Sequence, residues 1–313
     1  MSTTTVRASR RADTPAVRVG PLARAARRFG VRMVAPSALL LVVLLAIPSL
    51  LTVAYSVHKV PSNGASLGEF VGFDNFAVVL SSPVFWSSMR TTLIFSAGFV
   101  VLSTVIGLAT AVLLNQEFVG RSFARALLIV PWAMPWLVLG ILWRWYADGS
   151  VGGLNSLLLT LGVIDDYQEF LADPTSALLL TIVAAVWRQA SFAGILFLSG
   201  LQTLPAELNE AAELDGAGIW GRFLHITLAW LRPVLITVTV LNVIYAFLQF
   251  DVIFAMTQGG PGDATQVLSI LIYRQLFVVT NIGLGSALAV VLGGLALVGG
   301  LVTVKLLYSS ESR

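Results

Sequence analysis

Six stretches of this chain are apolar for longer than any soluble core element requires, and that limits the fold more than any other feature. They run from Val34 to Val57, Thr91 to Leu114, Ala126 to Tyr146, Ala177 to Gly200, Pro233 to Thr257 and Ile282 to Val304. A bilayer core of about 30 Å is crossed by about 20 helical residues. Backbone groups in lipid must be paired within the segment, so runs of this length are helices. Barrel strands are excluded, because the runs exceed the roughly 9–11 residues of a membrane strand and lack its alternation. The rest of the composition agrees. Hydrophobic residues make up 57% and charged residues 11%, against roughly 45–50% and about 25% in soluble domains. The expected fold class is an all-α integral membrane protein with about six transmembrane helices.

Orientation follows from arginine, since cytoplasmic segments are enriched in Lys and Arg. The first 33 residues carry Arg7, Arg10, Arg11, Arg18, Arg24, Arg27, Arg28 and Arg32 against Asp13. With that end inside, the inner segments add Arg121, Arg125, Arg222, Arg232, Lys305 and Arg313, and the outer ones hold Lys59, Arg90 and Arg274. The outer stretch from Asp148 to Ser176 has five acids and no base. Both termini are therefore expected in the cytoplasm. Residues 1–33 read as a disordered basic tail running into the first helix, 34–307 as the membrane domain, and 308–313 as a short cytoplasmic tail. The basic start resembles a secretion signal, but the apolar run behind it is too long for an ordinary signal core. Topology explains the arginines without specific lipid or nucleic-acid binding, and the net charge of +3 argues for no polyanionic partner.

Cysteine is absent, which excludes disulfides, thiol nucleophiles and thiolate metal sites. Two histidines, His58 and His225, are too few for a histidine-rich metal centre. Tyr55, Trp86, Trp143, Trp145, Tyr146 and Trp230 fall near span ends, as interfacial anchors do. Pro36, Pro48, Pro131 and Pro135 are expected to bend their helices.

One segment is neither span nor ordinary loop. Residues 201–232, on the cytoplasmic side, read LQTLPAELNEAAELDGAGIWGRFLHITLAWLR. Thr203 suits a helix cap and Pro205 a first turn. Leu204, Leu208, Ala211 and Ala212 fall on one helical stripe, with Glu207, Glu210 and Glu213 elsewhere. Gly216 ends the helix, and Ile219, Phe223 and Ile226 mark a second amphipathic piece with Arg222 and His225 off its face. The pattern predicts a helix–turn–helix elbow. A connector resting on the bilayer is the competing reading, but such helices favour Lys and Arg on the polar face. The glutamates here favour a protein partner.

The run Glu210-Ala211-Ala212-Glu213-Leu214-Asp215-Gly216-Ala217, with Phe223, Ile226, Leu228 and Pro233 downstream, resembles the EAA loop of ABC-importer permeases. Ala229 departs from the pattern, which usually has proline after the leucine. The resemblance implies a type I importer permease fold, with this loop acting as the coupling helix that docks in a groove of the ATPase subunit. Glu210, Ala211, Ala212, Asp215, Gly216, Ala217 and Arg222 would then form the coupling element. A second patch, FDVIFAMTQGGPGDAT from Phe250 to Thr265, resembles the carbohydrate permeases of the maltose and glycerol-phosphate type. Val71 to Phe76 and the run from Leu127 to Trp145 resemble the same group, so the likeness spans roughly Val31 to Leu307.

The resemblance implies a heteromeric complex in a bacterial plasma membrane: two ATPase subunits, a second permease, an extracytoplasmic solute-binding protein, and lipid around it. It implies passage of a sugar or sugar-like solute by alternating access. A phosphate-binding loop of the form Gly-x-x-x-x-Gly-Lys-Ser/Thr is missing, and neither Lys59 nor Lys305 has such a setting. ATP and Mg would therefore be bound by the partner, and this chain would do no covalent chemistry. Alternatives are a permease for another solute, such as an amino acid or phosphate ester, a secondary transporter with inverted repeats, or a membrane enzyme. No clear internal repeat supports the second, and no cluster of His, Asp or Glu at one depth supports the third.

Arg188 and Asp251 are ionisable residues within apolar spans. A charge at the bilayer centre costs about 2.5–3.5 kcal/mol on insertion scales, so it faces a cavity or a partner. Counted from the outer ends they differ in depth by about 9 Å, within reach of an arginine stem. They are candidates for the substrate passage, or for an ion pair with each other. Asn242, Tyr245 and Gln249, with Trp187 nearby, offer amide hydrogen bonding and aromatic stacking for a sugar. Interhelical hydrogen bonding is the competing role.

Overall fold

The computed structural model describes residues 21–61, 64 and 66–309, and side chains from Phe29 to Leu307 within that range. Most of the basic tail and the last four residues lie outside it. The chain forms two compact units, one up to Leu51 and one from Thr52 onward.

The first unit holds α1 (Pro21–Leu41), a π-helical turn at Val42–Ala46 and the first half of α2 (Ile47–Ser56), as far as Leu51. The stretch Phe29–Ser56 is apolar and long enough to cross a bilayer. Pro48 supplies no N–H to the helix ladder, and the widened turn lies just before it.

In the second unit a short hairpin pairs β1 (His58–Lys59) with β2 (Glu69–Phe70). α3 (Asp74–Ser81) follows at once. Asn75 closes the corner by donating through Nδ2 to the carbonyls of Ser56 and His58, at 2.9 and 3.0 Å. α4 (Pro83–Asn115) is a continuous span.

The third predicted span is not straight. It is α5 (Arg121–Ala133) and α6 (Trp136–Tyr146), bent by 99° between them. Met134, which precedes Pro135, is extended at ψ 133°, the conformation proline imposes on its predecessor. Hydropathy summed along the chain registers composition and is blind to that change of direction.

The outer acidic loop is ordered. α7 (Gly153–Thr160) carries the buried Asn155, whose amide holds Asp148 O, Gln168 O and the Gln168 N–H. Hydrogen bonds from Ser150, hydroxyl first and then N–H, hold the Asp148 carboxyl below its ordinary pKa. The Ser176 N–H does the same for Asp173, which caps α8 (Pro174–Leu201). α8 is the most buried of the spans and packs most extensively on α4. The close approach rests on small residues. A Cβ at Gly107 would lie 2.6 Å from Ala193 Cβ and 3.0 Å from Ala190 O.

After the elbow comes α12 (Arg232–Leu248), which ends where Gln249 turns extended. α13 (Asp251–Met256) then packs against α6. The predicted span from Pro233 to Thr257 is thus two helices with a break at Gln249–Phe250. Gly140 permits the contact with α6, since a Cβ there would sit 2.6 Å from Ala255 Cβ.

The glycine-rich patch forms a loop in which Gln258, Gly259, Gly262 and Asp263 all have positive φ. Thr265 Oγ1 donates to Gly260 O at 2.7 Å, and Arg274 ties Asp263, Gln266 and the Gln258 carbonyl together. α14 (Leu268–Tyr273) and a π-helical turn lead to the last span, α15 (Ile282–Ser309). Among the described residues four helices are long and apolar enough to cross a membrane, or up to six if the bent pairs α5 with α6 and Ile219–Trp230 with α12 each count as one span.

Candidate functional site

The 201–232 segment folds as an elbow. α9 (Ala206–Leu214) has Pro205 at its N-cap and no side-chain cap. Thr203, expected as the cap, instead bonds Gly200 O and accepts from Trp230 Nε1 at 3.2 Å. It pins the far arm of the elbow, because it sits a turn too early to reach the free N–H groups of α9.

The helix stops at Gly216. Its φ of +81° allows Ala217 N to reach back to Ala212 O at 2.9 Å, and Gly216 N to Glu213 O at 3.0 Å. This is the left-handed closure that glycine serves without strain. The chain re-enters helix at α10 (Ile219–Arg222), passes a π-helical turn at Phe223–Thr227, and ends in α11 (Leu228–Trp230). From Ile219–Trp230 to α12 the axis turns by 69°.

Arg222 Nη1 meets Glu213 Oε2 at 2.5 Å and joins the two arms. Exposed pairs contribute little stability, about 0–1 kcal/mol, so the pair sets an angle more than it holds a fold. Glu210, Ala211, Asp215 and Gly216 are exposed, and Ala212 and Ala217 are half-buried. The expected stripe is not fully inward, because Leu208 is 45% exposed. Leu214, Ile219 and Trp220 dominate the tip, at 89%, 78% and 76% exposure, and the pattern singled out only the second of them. Helical periodicity placed Ile219 with Phe223 and missed the other two, because both flank the break, where periodicity fails.

The membrane-depth residues divide into two groups. Asn242 is fully buried, accepting from Gln189 Nε2 at 2.8 Å and donating to Thr104 Oγ1 at 3.0 Å. It links α12, α8 and α4 from inside, the interhelical hydrogen bonding that the sequence offered beside a passage role. Asn242→Leu would leave Gln189 unpaired in the core. We expect a loss of about 1–2 kcal/mol, read as a lower unfolding midpoint in detergent; an unchanged midpoint would refute the linkage.

The second group gathers at the two helix breaks. Arg188 Nε donates to Met134 O at 2.8 Å, satisfying a carbonyl orphaned where α5 ends. Its guanidinium lies 4.0 Å above the Trp136 ring, a cation–π stack. Tyr245, on α12, is 43% exposed. The alternative ion pair with Asp251 is not formed: the ion pairs among the described residues are Arg121–Glu117, Arg222–Glu213 and Arg274–Asp263. Asp251 is exposed at the start of α13.

Gln249 is buried at the break with its Nε2 unpartnered. Trp187, on the neighbouring face of α8, meets Trp143 edge-on at 6.0 Å and walls an apolar groove of about 500 Å³. Trp143 is therefore part of the packing, not a free interfacial anchor. Among the described residues no cluster of His, Cys, Asp or Glu is arranged to hold a metal.

Residues 103–309 match the family described as binding-protein-dependent transport system inner membrane component. A trehalose/maltose transport system permease protein of Thermococcus litoralis is 36% identical, covering 84% of this chain and 88% of its own. An sn-glycerol-3-phosphate transport system permease protein of Agrobacterium fabrum is 34% identical, covering 83% and 88%. A bacterial ABC transporter involved in the import of the acidic polysaccharide alginate superposes with a TM-score of 0.79 at 21% identity, covering 93% of this chain and 99% of that one. Elbow, spans and these likenesses converge, and the chain belongs to the family of membrane-embedded permease subunits of binding-protein-dependent ABC transporters.

Proposed function

We propose that this chain carries a carbohydrate or carbohydrate-like solute inward by alternating access, as one half of a pore formed with a second permease. In this reading the elbow docks on a separate ATPase that holds ATP and Mg, and an extracytoplasmic binding protein delivers the solute to the opposite end. Both termini face the cytoplasm, as the arginine distribution implies.

The observation that carries the reading is the elbow itself. It presents Leu214, Ile219 and Trp220 to solvent beside Glu210 and Asp215. Apolar anchors ringed by polar groups are the anatomy of a protein-binding surface. The sugar assignment is supported by relatives whose names specify trehalose/maltose, sulfoquinovosyl glycerol and sn-glycerol-3-phosphate transport.

Gentle-detergent purification from native membranes, with partners counted by mass spectrometry, tests it. The expected result is a P-loop ATPase and a second permease in fixed ratio. A chain that purifies alone and transports alone when reconstituted would overturn the reading in favour of a secondary transporter.

A further inference from the structure

Arg188 stands at the fifteenth position of the 28-residue α8, about 21 Å along the helix from its start. An uncompensated charge at that depth is costly and marks a site whose counter-charge must come from somewhere. No residue in the described protein supplies it. α8 packs against α4, α5, α6, α12 and α13, and the single acid those helices carry is Asp251. Asp251 makes no ion pair.

One of the five guanidinium N–H groups is used, by Met134 O. The stem and plane are fixed by that bond and by the Trp136 ring below. The two terminal nitrogens have no partner among the described residues, and they do not count among the sealed, unsatisfied side-chain atoms, so they keep accessible surface. Arginine fixed in this way presents its free edge as a planar fork, the geometry that receives a carboxylate, phosphate or sulfonate.

The surroundings fit a ligand better than a missing structural partner. Two of the predicted spans break, after Ala133 beside Arg188 and after Leu248, and the segments beyond the breaks pack on each other. Broken helices with unpaired polar groups at membrane depth are how transporters build solute sites. Tyr245 and Asp251 are exposed residues on either side of the second break, and hydroxyls of a sugar would bond a phenol and a carboxylate.

We propose that the solute is an anionic carbohydrate, bearing a carboxylate, phosphate or sulfonate, and that the free edge of Arg188 binds the acidic group during passage. This rests on the importer reading above and narrows its substrate.

The test uses cells carrying the whole transporter with its binding protein. They are offered a mixed library of neutral oligosaccharides, uronate oligosaccharides, sugar phosphates and sugar sulfonates, and accumulated solutes are read by mass spectrometry against cells lacking the transporter. The expected result is accumulation of acidic members alone. Arg188→Gln keeps a donor for Met134 O and removes the charge, so it should cut that uptake at least tenfold at equal membrane abundance, while Arg188→Lys retains more. Should Arg188→Gln fail to reach the membrane, the solutes taken up by the unaltered protein decide the matter. Accumulation of neutral sugars, or acidic uptake undiminished in Arg188→Gln, overturns the anion site and leaves the importer standing. Accumulation of no sugar of any class overturns both.

Discussion

Gly216→Val is expected to cut solute uptake about tenfold while leaving the membrane body folded. The residue sits at φ +81°, and the turn it makes returns Ala217 N to Ala212 O. Space is not the obstacle, since a Cβ there would meet nothing within 4 Å. The obstacle is conformation. A left-handed backbone at a β-branched residue costs about 1–3 kcal/mol, enough to shift an equilibrium by a factor of roughly 5 or more.

The elbow has few tertiary contacts to absorb that strain, so α9 would end differently and the Glu213–Arg222 pair would part. Uptake and ATPase co-purification should fall together, with the unfolding midpoint of the detergent-solubilised chain unchanged. Gly216→Asn, which tolerates the left-handed region, should fall between. Equal uptake in the valine variant and the parent would show that the elbow angle is irrelevant to transport.

Gly107→Val is expected to act on stability instead. The Cβ would press on Ala193 Cβ at 2.6 Å and on backbone atoms of Ala190 and Gly194 at 3.0 Å. Backbone cannot swing aside as the tip of a long side chain can, so α4 and α8 must separate. Helices in lipid associate by close packing of small residues, and overpacking a tight contact costs about 1–3 kcal/mol. A branched residue against two backbones belongs at the upper end. The measurement is the midpoint of denaturant unfolding in detergent, with Gly293→Val as the control because nothing lies within 4 Å of a Cβ there. Equal midpoints for the two variants would contradict the packing account.

The sequence exposes what depends on composition and hides what depends on direction. The apolar runs marked the four long helices, and the glycine in Asp215-Gly216-Ala217 marked the elbow's corner. Pro135 announced a bend in the third span but not its size of 99°, and the break at Gln249–Phe250 was not legible, because a glutamine in an apolar run fits a straight helix as well as a broken one. Asn242 and Tyr245 stand three positions apart on one helix, yet the first is sealed between α4 and α8 and the second is open. Which face of α12 turns inward is decided by neighbours more than 50 residues away, such as Gln189 and Thr104. Arg188 was conspicuous as a charge in a span; that it caps a carbonyl across the bend required the fold.

The absence of native cysteine allows the most direct test of the central claim, that the elbow seats on an ATPase. Leu214→Cys places one thiol at the exposed tip. In native membranes, with a short bifunctional thiol cross-linker, the variant is expected to join a P-loop ATPase subunit, with a yield that changes when ATP is added, while Leu297→Cys on the exposed face of α15 does not join it. A Leu214→Cys thiol that cross-links to no ATPase, yet reacts with a soluble maleimide as fast in the assembled membrane as in the isolated chain, would show the elbow to be unoccupied and contradict the account.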